Sequence, residues 1–194
     1  VDLDGREWPA LSNAFKEMRV IILPTVNPDG RIRSRIKNLV GASTTEAKYI
    51  GAGKPREGEL PPWPEYKRYH PMRREDMIYL GGIYNDDGIN IQHDNFFSNS
   101  IANETRALLD LVEEETPDCF INLHSCIPGP FMNPPNACIP SVYQVRWLQI
   151  GALVGDRLQR EGLQTSDIPI SSIPDFNLDA ALLYHSGAQP LSFE

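Results

Sequence analysis

Four histidines, His70, His93, His124 and His185, are scattered through this chain, and His124 has the most informative neighbourhood. It follows Cys119-Phe120-Ile121-Asn122-Leu123, a short apolar run that reads as a strand and delivers an imidazole at its carboxyl end. A lone histidine is ordinarily a satisfied core or turn residue, yet the carboxyl ends of strands are where open α/β sheets build their sites. Three arginines, Arg31, Arg33 and Arg35, alternate just after Asn27-Pro28-Asp29-Gly30, and their plain reading is a solvated basic edge. The acidic, glycine-rich stretch 81–88 suggests calcium, but it lacks the EF-hand ligand pattern and reads as a turn that positions residues 90–94. Cys119, Cys126 and Cys138 are too few and too irregular for a disulfide framework or a four-cysteine zinc site, and read as buried or incidental thiols.

The elements that must position these groups follow from pattern and punctuation. Residues 8–16 suit a short helix, and Met18-Arg19-Val20-Ile21-Ile22-Leu23, ending at Pro24, reads as a buried strand. Asn27-Pro28-Asp29-Gly30 suits a tight turn, with the glycine there to accept positive φ. From about residue 31 to 87 the composition shifts to Gly, Pro and charge, a loop-rich insertion in which Trp63, Tyr66 and Tyr69 favour a packed surface. Asn103 is placed to cap a helix whose inner face is Ala107, Leu108, Leu111 and Val112, and Thr116-Pro117 ends it. Trp147, Ile150, Val154 and Leu158 mark a long helix over 142–161, stopped by Gly162. A further helix covers 177–184, and residues 190–194 begin a last strand. Strands separated by such helices predict an α/β fold with a mixed, mainly parallel central sheet flanked by helices.

Size and charge bound what such a fold would do. With 194 residues, 41% of them hydrophobic, the chain is expected to be one domain with a real core. Its 26 acidic against 18 basic residues, net −8, exclude a phosphate-tracking surface, so nucleic acid is not an expected partner and peptides or small molecules are. No apolar run approaches the ~20 residues of a membrane span. The start at Val1 has neither an initiator methionine nor signal-peptide regions, so the native N-terminus is expected upstream and the compartment stays unread.

Five pieces in order then carry a resemblance: Asn27-Pro28-Asp29-Gly30; Gly88 to Phe96 (Gly-Ile-Asn-Ile-Gln-His-Asp-Asn-Phe); Glu104-Thr105-Arg106-Ala107; Ile121-Asn122-Leu123-His124-Ser125; and Leu191-Ser192-Phe193-Glu194. In order and approximate spacing the chain resembles the zinc metallocarboxypeptidases of the carboxypeptidase A-like kind, over nearly its whole length. The resemblance implies one partial catalytic domain over 1–194, truncated at both ends. It implies a zinc-dependent hydrolase that cleaves a peptide or related amide bond through metal-activated water. It makes His124 a metal ligand, with Zn2+ the cofactor of the complete domain, and Glu194 the catalytic general base. The family's His-x-x-Glu ligand pair is missing, because the residues three past the four histidines are Arg73, Phe96, Ile127 and Ala188. The chain as given is therefore expected to be inactive.

Departures bear on substrate. Where the family has an Asn-Arg pair for the substrate's terminal carboxylate, this chain has Gln92 and His93, a weaker and pH-dependent grip. One of Arg31, Arg33 and Arg35 then stands in for the missing anchor or for the family's oxyanion-stabilising arginine. Tyr184, ten residues before Glu194, is nearer than the family's capping tyrosine normally lies and equally suits core packing. His185 reads as a helix C-terminal residue. Two alternatives stay open: an N-acyl amino acid deacylase of the same fold, and a non-catalytic binding module that recognises a partner through the Gly/Pro-rich loop.

Overall fold

A computed structural model describes residues 5–34, 42–62, 65–67, 71–124, 132–163 and 175–194. Among the described residues the helices and strands run in the order α1 (Pro9–Glu17), α2 (Pro28–Arg33), α3 (Thr44–Ala52), β1 (Gly53–Pro55), β2 (Met77–Leu80), α4 (Asn103–Glu115), β3 (Cys119–Leu123), α5 (Ser141–Arg160), α6 (Leu178–Ser186) and β4 (Gln189–Phe193). Short 3-10 turns, among them Ile91–His93, punctuate the segments between them. Helix and strand are mixed as the α/β reading expects, but the sheets are small. Among the described residues β1 pairs antiparallel with β2, and β3 pairs parallel with β4, rather than all joining one central sheet.

Residues 18–23 are the largest departure. They form no strand, and Val20, Ile22 and Leu23 are exposed, Ile22 at 78%. Apolar, β-branched composition favours a strand only where a neighbour takes up its backbone N–H and C=O groups, and among the described residues no strand lies alongside. The Asn27-Pro28-Asp29-Gly30 segment also differs. Asn27 caps α2, its side chain accepting from the Gly30 N–H at 2.9 Å, with Pro28 as the first helical residue. Gly30 is required for space and not for positive φ, since a Cβ there would lie 2.1 Å from the Gly82 carbonyl oxygen.

The helices near the site are set by local chemistry. Asn103 is the first residue of α4 and not its cap. The carboxylate of buried Asp94 takes that part, accepting from the Ala102 N–H at 2.8 Å and the Thr105 hydroxyl at 2.6 Å. On α5 the three-and-four spacing buries Trp147 at 1% exposure. Asn177 caps α6 by accepting from the Ala180 N–H, and Gly187, in the left-handed region at φ 77°, ends it.

Three clusters hold these pieces. Met132, Ile139, Trp147, Ala180, Leu183 and Leu191 pack α5, α6 and β4 together. Ile91, Val112, Leu178 and Leu182, with Phe120 and Val26 against them, pack α4 and α6 on β3. The loop-rich segment builds a cluster of its own from Ala52, Leu60, Met77, Leu80 and Tyr84, with Tyr66 packed on it. Trp63 and Tyr69 lie outside the described residues. Burial pushes the Tyr84 phenol up to about 12, and its hydroxyl donates to the Tyr66 carbonyl at 2.7 Å.

Candidate functional site

The parallel pairing of β3 with β4 is what brings the two candidate groups together. Asn122 is registered with Ser192 and Leu123 with Phe193, and the His124 N–H continues the ladder by donating to the Phe193 carbonyl at 2.8 Å. Side chains two apart on a strand share a face. His124 therefore lies on the face of Asn122, Glu194 on that of Ser192, at the carboxyl ends of adjacent strands. His124 Nδ1 is 3.9 Å from Glu194 Oε1, and both side chains are mostly covered, at 28% and 14% exposure.

A third residue completes the arrangement. The Asn133 carboxamide nitrogen donates to Glu194 Oε1 at 3.2 Å and to the Ser192 hydroxyl at 3.0 Å. Its main chain is fixed on both sides: its N–H donates to the Ser192 carbonyl at 2.8 Å, and its carbonyl accepts from the Trp147 indole N–H at 2.7 Å. Met132 bridges to Phe193, so this loop borders the edge of β4 opposite β3. Sequence reasoning missed Asn133, because an asparagine before two prolines signals only a loop.

Behind His124 lies a buried polar network. Asp179, in the first turn of α6 and 2% exposed, accepts from the Asn122 amide at 2.9 Å on one oxygen. Its other oxygen accepts from Gln92 at 3.3 Å and Asn177 at 3.4 Å. Asn122 also donates to Gln92 Oε1 at 3.1 Å. Burial raises the Asp179 carboxyl above the usual carboxylate range, against the lowering by Asn122, nearby His124, Gln92 and Asn177.

The remaining residues singled out from sequence fall as follows. Gln92 is half-buried and tied into the Asp179 network. His93, also half-buried, ends the 3-10 turn that carries Gln92. Arg33 donates to the carbonyls of Gly81 and Tyr84, each at 3.1 Å, and to the Asp86 carboxylate. It thus laces α2 to the segment after β2, and is no free basic edge. Arg31 is exposed on α2, and Arg35 lies outside the described residues. Tyr184 is 57% exposed and donates to the Cys138 carbonyl at 2.8 Å, so it is not the core residue its helix position allowed. His185 sits in the last turn of α6, 3.2 Å from Glu113. Cys119 is exposed on β3 rather than buried, and Cys126 lies outside the described residues.

A catalytic zinc takes three protein donors and keeps one position open. His124 offers one imidazole, and among the described residues no group of three or more His, Cys, Asp or Glu side chains gathers where a metal could sit. These residues alone do not fit a zinc centre. Among the described residues, no helix is long and apolar enough to cross a membrane. Comparison with protein-family models, with curated proteins and with solved structures returns no match.

Proposed function

We propose that this chain carries the histidine and glutamate portion of a zinc-dependent hydrolase centre acting on a peptide or related amide bond. The observation that carries the reading is the 3.9 Å approach of His124 and Glu194 at the ends of neighbouring parallel strands, where α/β sheets gather their sites. Further support comes from the five sequence pieces in the order of the zinc carboxypeptidases. Because the described residues hold no full donor set, the reading places the other zinc ligands outside them. Zinc, when bound, would supply a water of lowered pKa and polarise the carbonyl.

The chain's own residues have separable parts in this scheme. Glu194, as general base, removes a proton from the attacking water and returns it to the departing amine nitrogen. Asn133 holds the carboxylate by its side-chain N–H, which fixes the direction from which the base approaches. His124 offers an imidazole whose main chain is anchored to β4. Gln92, with an amide already held by Asn122 and Asp179, borders the same strand face.

Because the chain as given lacks a His-x-x-Glu pair, the test is a panel of peptides with free C-termini, amidated peptides and N-acyl amino acids, assayed with zinc-supplemented protein extended upstream of Val1. His124→Ala is expected to lose metal, whereas Glu194→Gln keeps it and lowers kcat by roughly 10²–10⁴-fold. Near-normal turnover in Glu194→Gln removes Glu194 as the base. Turnover of N-acyl amino acids alone makes the protein a deacylase, and neither zinc binding nor turnover makes it a binding module.

A further inference from the structure

Asp179 is a buried ionisable group that the scheme above uses only to hold the Gln92 amide. A carboxylate placed out of water carries a large desolvation cost unless it is well hydrogen-bonded. Here the donors are three neutral amides from three places in the chain: Asn122 on β3, Gln92 in the turn before α4, and Asn177 at the start of α6. The α6 N-terminus adds its dipole, which favours negative charge in the first turn.

The polarity of these bonds is informative. Gln92 turns its NH2 group toward Asp179 Oδ2, at 3.3 Å, while its carbonyl oxygen accepts from Asn122 at 3.1 Å. Asn122 uses both of its N–H groups, one to Asp179 Oδ1 and one to Gln92 Oε1. The Gln92 amide is therefore held at both ends in one orientation, next to the strand residue that lies about 6.6 Å from His124 along β3. Gln92 remains half-buried, not sealed.

We propose that Asp179 is a positioning residue: through its bonds to Gln92 and Asn122 it fixes the Gln92 amide so that the hydrogen left for a ligand is a donor N–H. The ligand atom facing Gln92 must then be an acceptor, a carbonyl or carboxylate oxygen. The ligand's identity as a peptide or amide rests on the hydrolase reading; the amide orientation does not.

Two measurements test this. In the wild-type chain, NMR should show the Gln92 side-chain NH2 protons exchanging with solvent at least about tenfold slower than those of Gln149, which is exposed on α5. Asp179→Asn should abolish that protection while the Trp147 indole N–H, bonded to Asn133 in the other cluster, keeps its own. In the peptide and amide assay the same variant should raise KM about tenfold with kcat within about threefold, the pattern of lost uniform binding. Fast Gln92 exchange in the wild type overturns the proposal without any variant, so a failure of Asp179→Asn to fold does not shelter it. Retained slow exchange in Asp179→Asn also overturns it, as does lost protection with an unchanged KM. If the wild type turns over nothing in the panel, the hydrolase reading fails while the exchange data still decide the role of Asp179.

Discussion

Asn133→Ala is the sharpest probe of how the Glu194 carboxylate is held. The substitution leaves the backbone bonds to Ser192 and Trp147 in place and deletes two donations, to the Ser192 hydroxyl and to Glu194. A neutral hydrogen bond contributes about 1 kcal/mol and one to a charged acceptor about 1.5–3. Relaxation around the partly exposed carboxylate reduces the sum, so the expected loss is about 2–3 kcal/mol. Asn133→Asp keeps the shape but places an acceptor 3.2 Å from Glu194 Oε1. With an effective dielectric near 20, two unit charges at that separation repel by roughly 5 kcal/mol, an upper bound for this site. Repulsion raises the introduced carboxyl's folded pKa above its unfolded value of about 3.9. Its neutral form is therefore favoured in the fold: the extra destabilisation relative to Asn133→Ala is full at pH 7 and fades as pH falls toward about 4. Urea unfolding followed by fluorescence and far-UV circular dichroism reads both variants, with buried Trp147 a reporter one hydrogen bond away. The order wild type, Ala, Asp is expected at pH 7. Asn133→Ala within about 0.5 kcal/mol of wild type would show that the carboxamide does not hold Glu194.

Other expectations follow from glycine space and from burial. Gly30→Ala forces a Cβ to within 2.1 Å of the Gly82 backbone oxygen and should cost about 1–3 kcal/mol by denaturant unfolding. Gly151→Ala meets only the mobile end of the Met132 side chain, at 2.6 Å, and should cost distinctly less in the same assay. For Tyr84 the folded pKa near 12 exceeds the unfolded value of about 10, so its stabilising contribution is full below pH 10 and lost as pH rises through about 12. Absorbance at the tyrosinate band should show one tyrosine ionising last, and Tyr84→Phe should remove that late step at a cost of about 1 kcal/mol.

What could be read from the sequence was whatever local pattern decides. The spacing of Trp147, Ile150, Val154 and Leu158 gave α5 to within one residue at each end, and the helix expected over 177–184 is α6, which runs two residues further to Ser186. The apolar run ahead of His124 proved to be β3, and the run ahead of Glu194 lies parallel to it. What escaped depends on partners distant in sequence. Nothing near Asp94 shows that it will cap a helix eight residues on, and nothing near Asp179 shows that Gln92 and Asn122 will meet on it. Arg33 sits in an alternating basic run that reads as solvated, until the carbonyls of Gly81 and Tyr84 draw it in from about fifty residues away. Residues 18–23 failed in the opposite sense: their composition promised burial that only a neighbouring strand could provide.

The exposure of that run has a consequence for handling the protein. An apolar run of six residues with Val20, Ile21 and Ile22 at its centre, the single charge of Arg19 and no proline before Pro24 is the kind of stretch from which cross-β stacking grows. Pro24 checks growth at one end only, and the pairing of Arg19 with Glu115 partly neutralises the one gatekeeping charge. Dilute, low-salt preparations, or a lysine in place of Ile22, are the conditions under which this chain should stay dispersed.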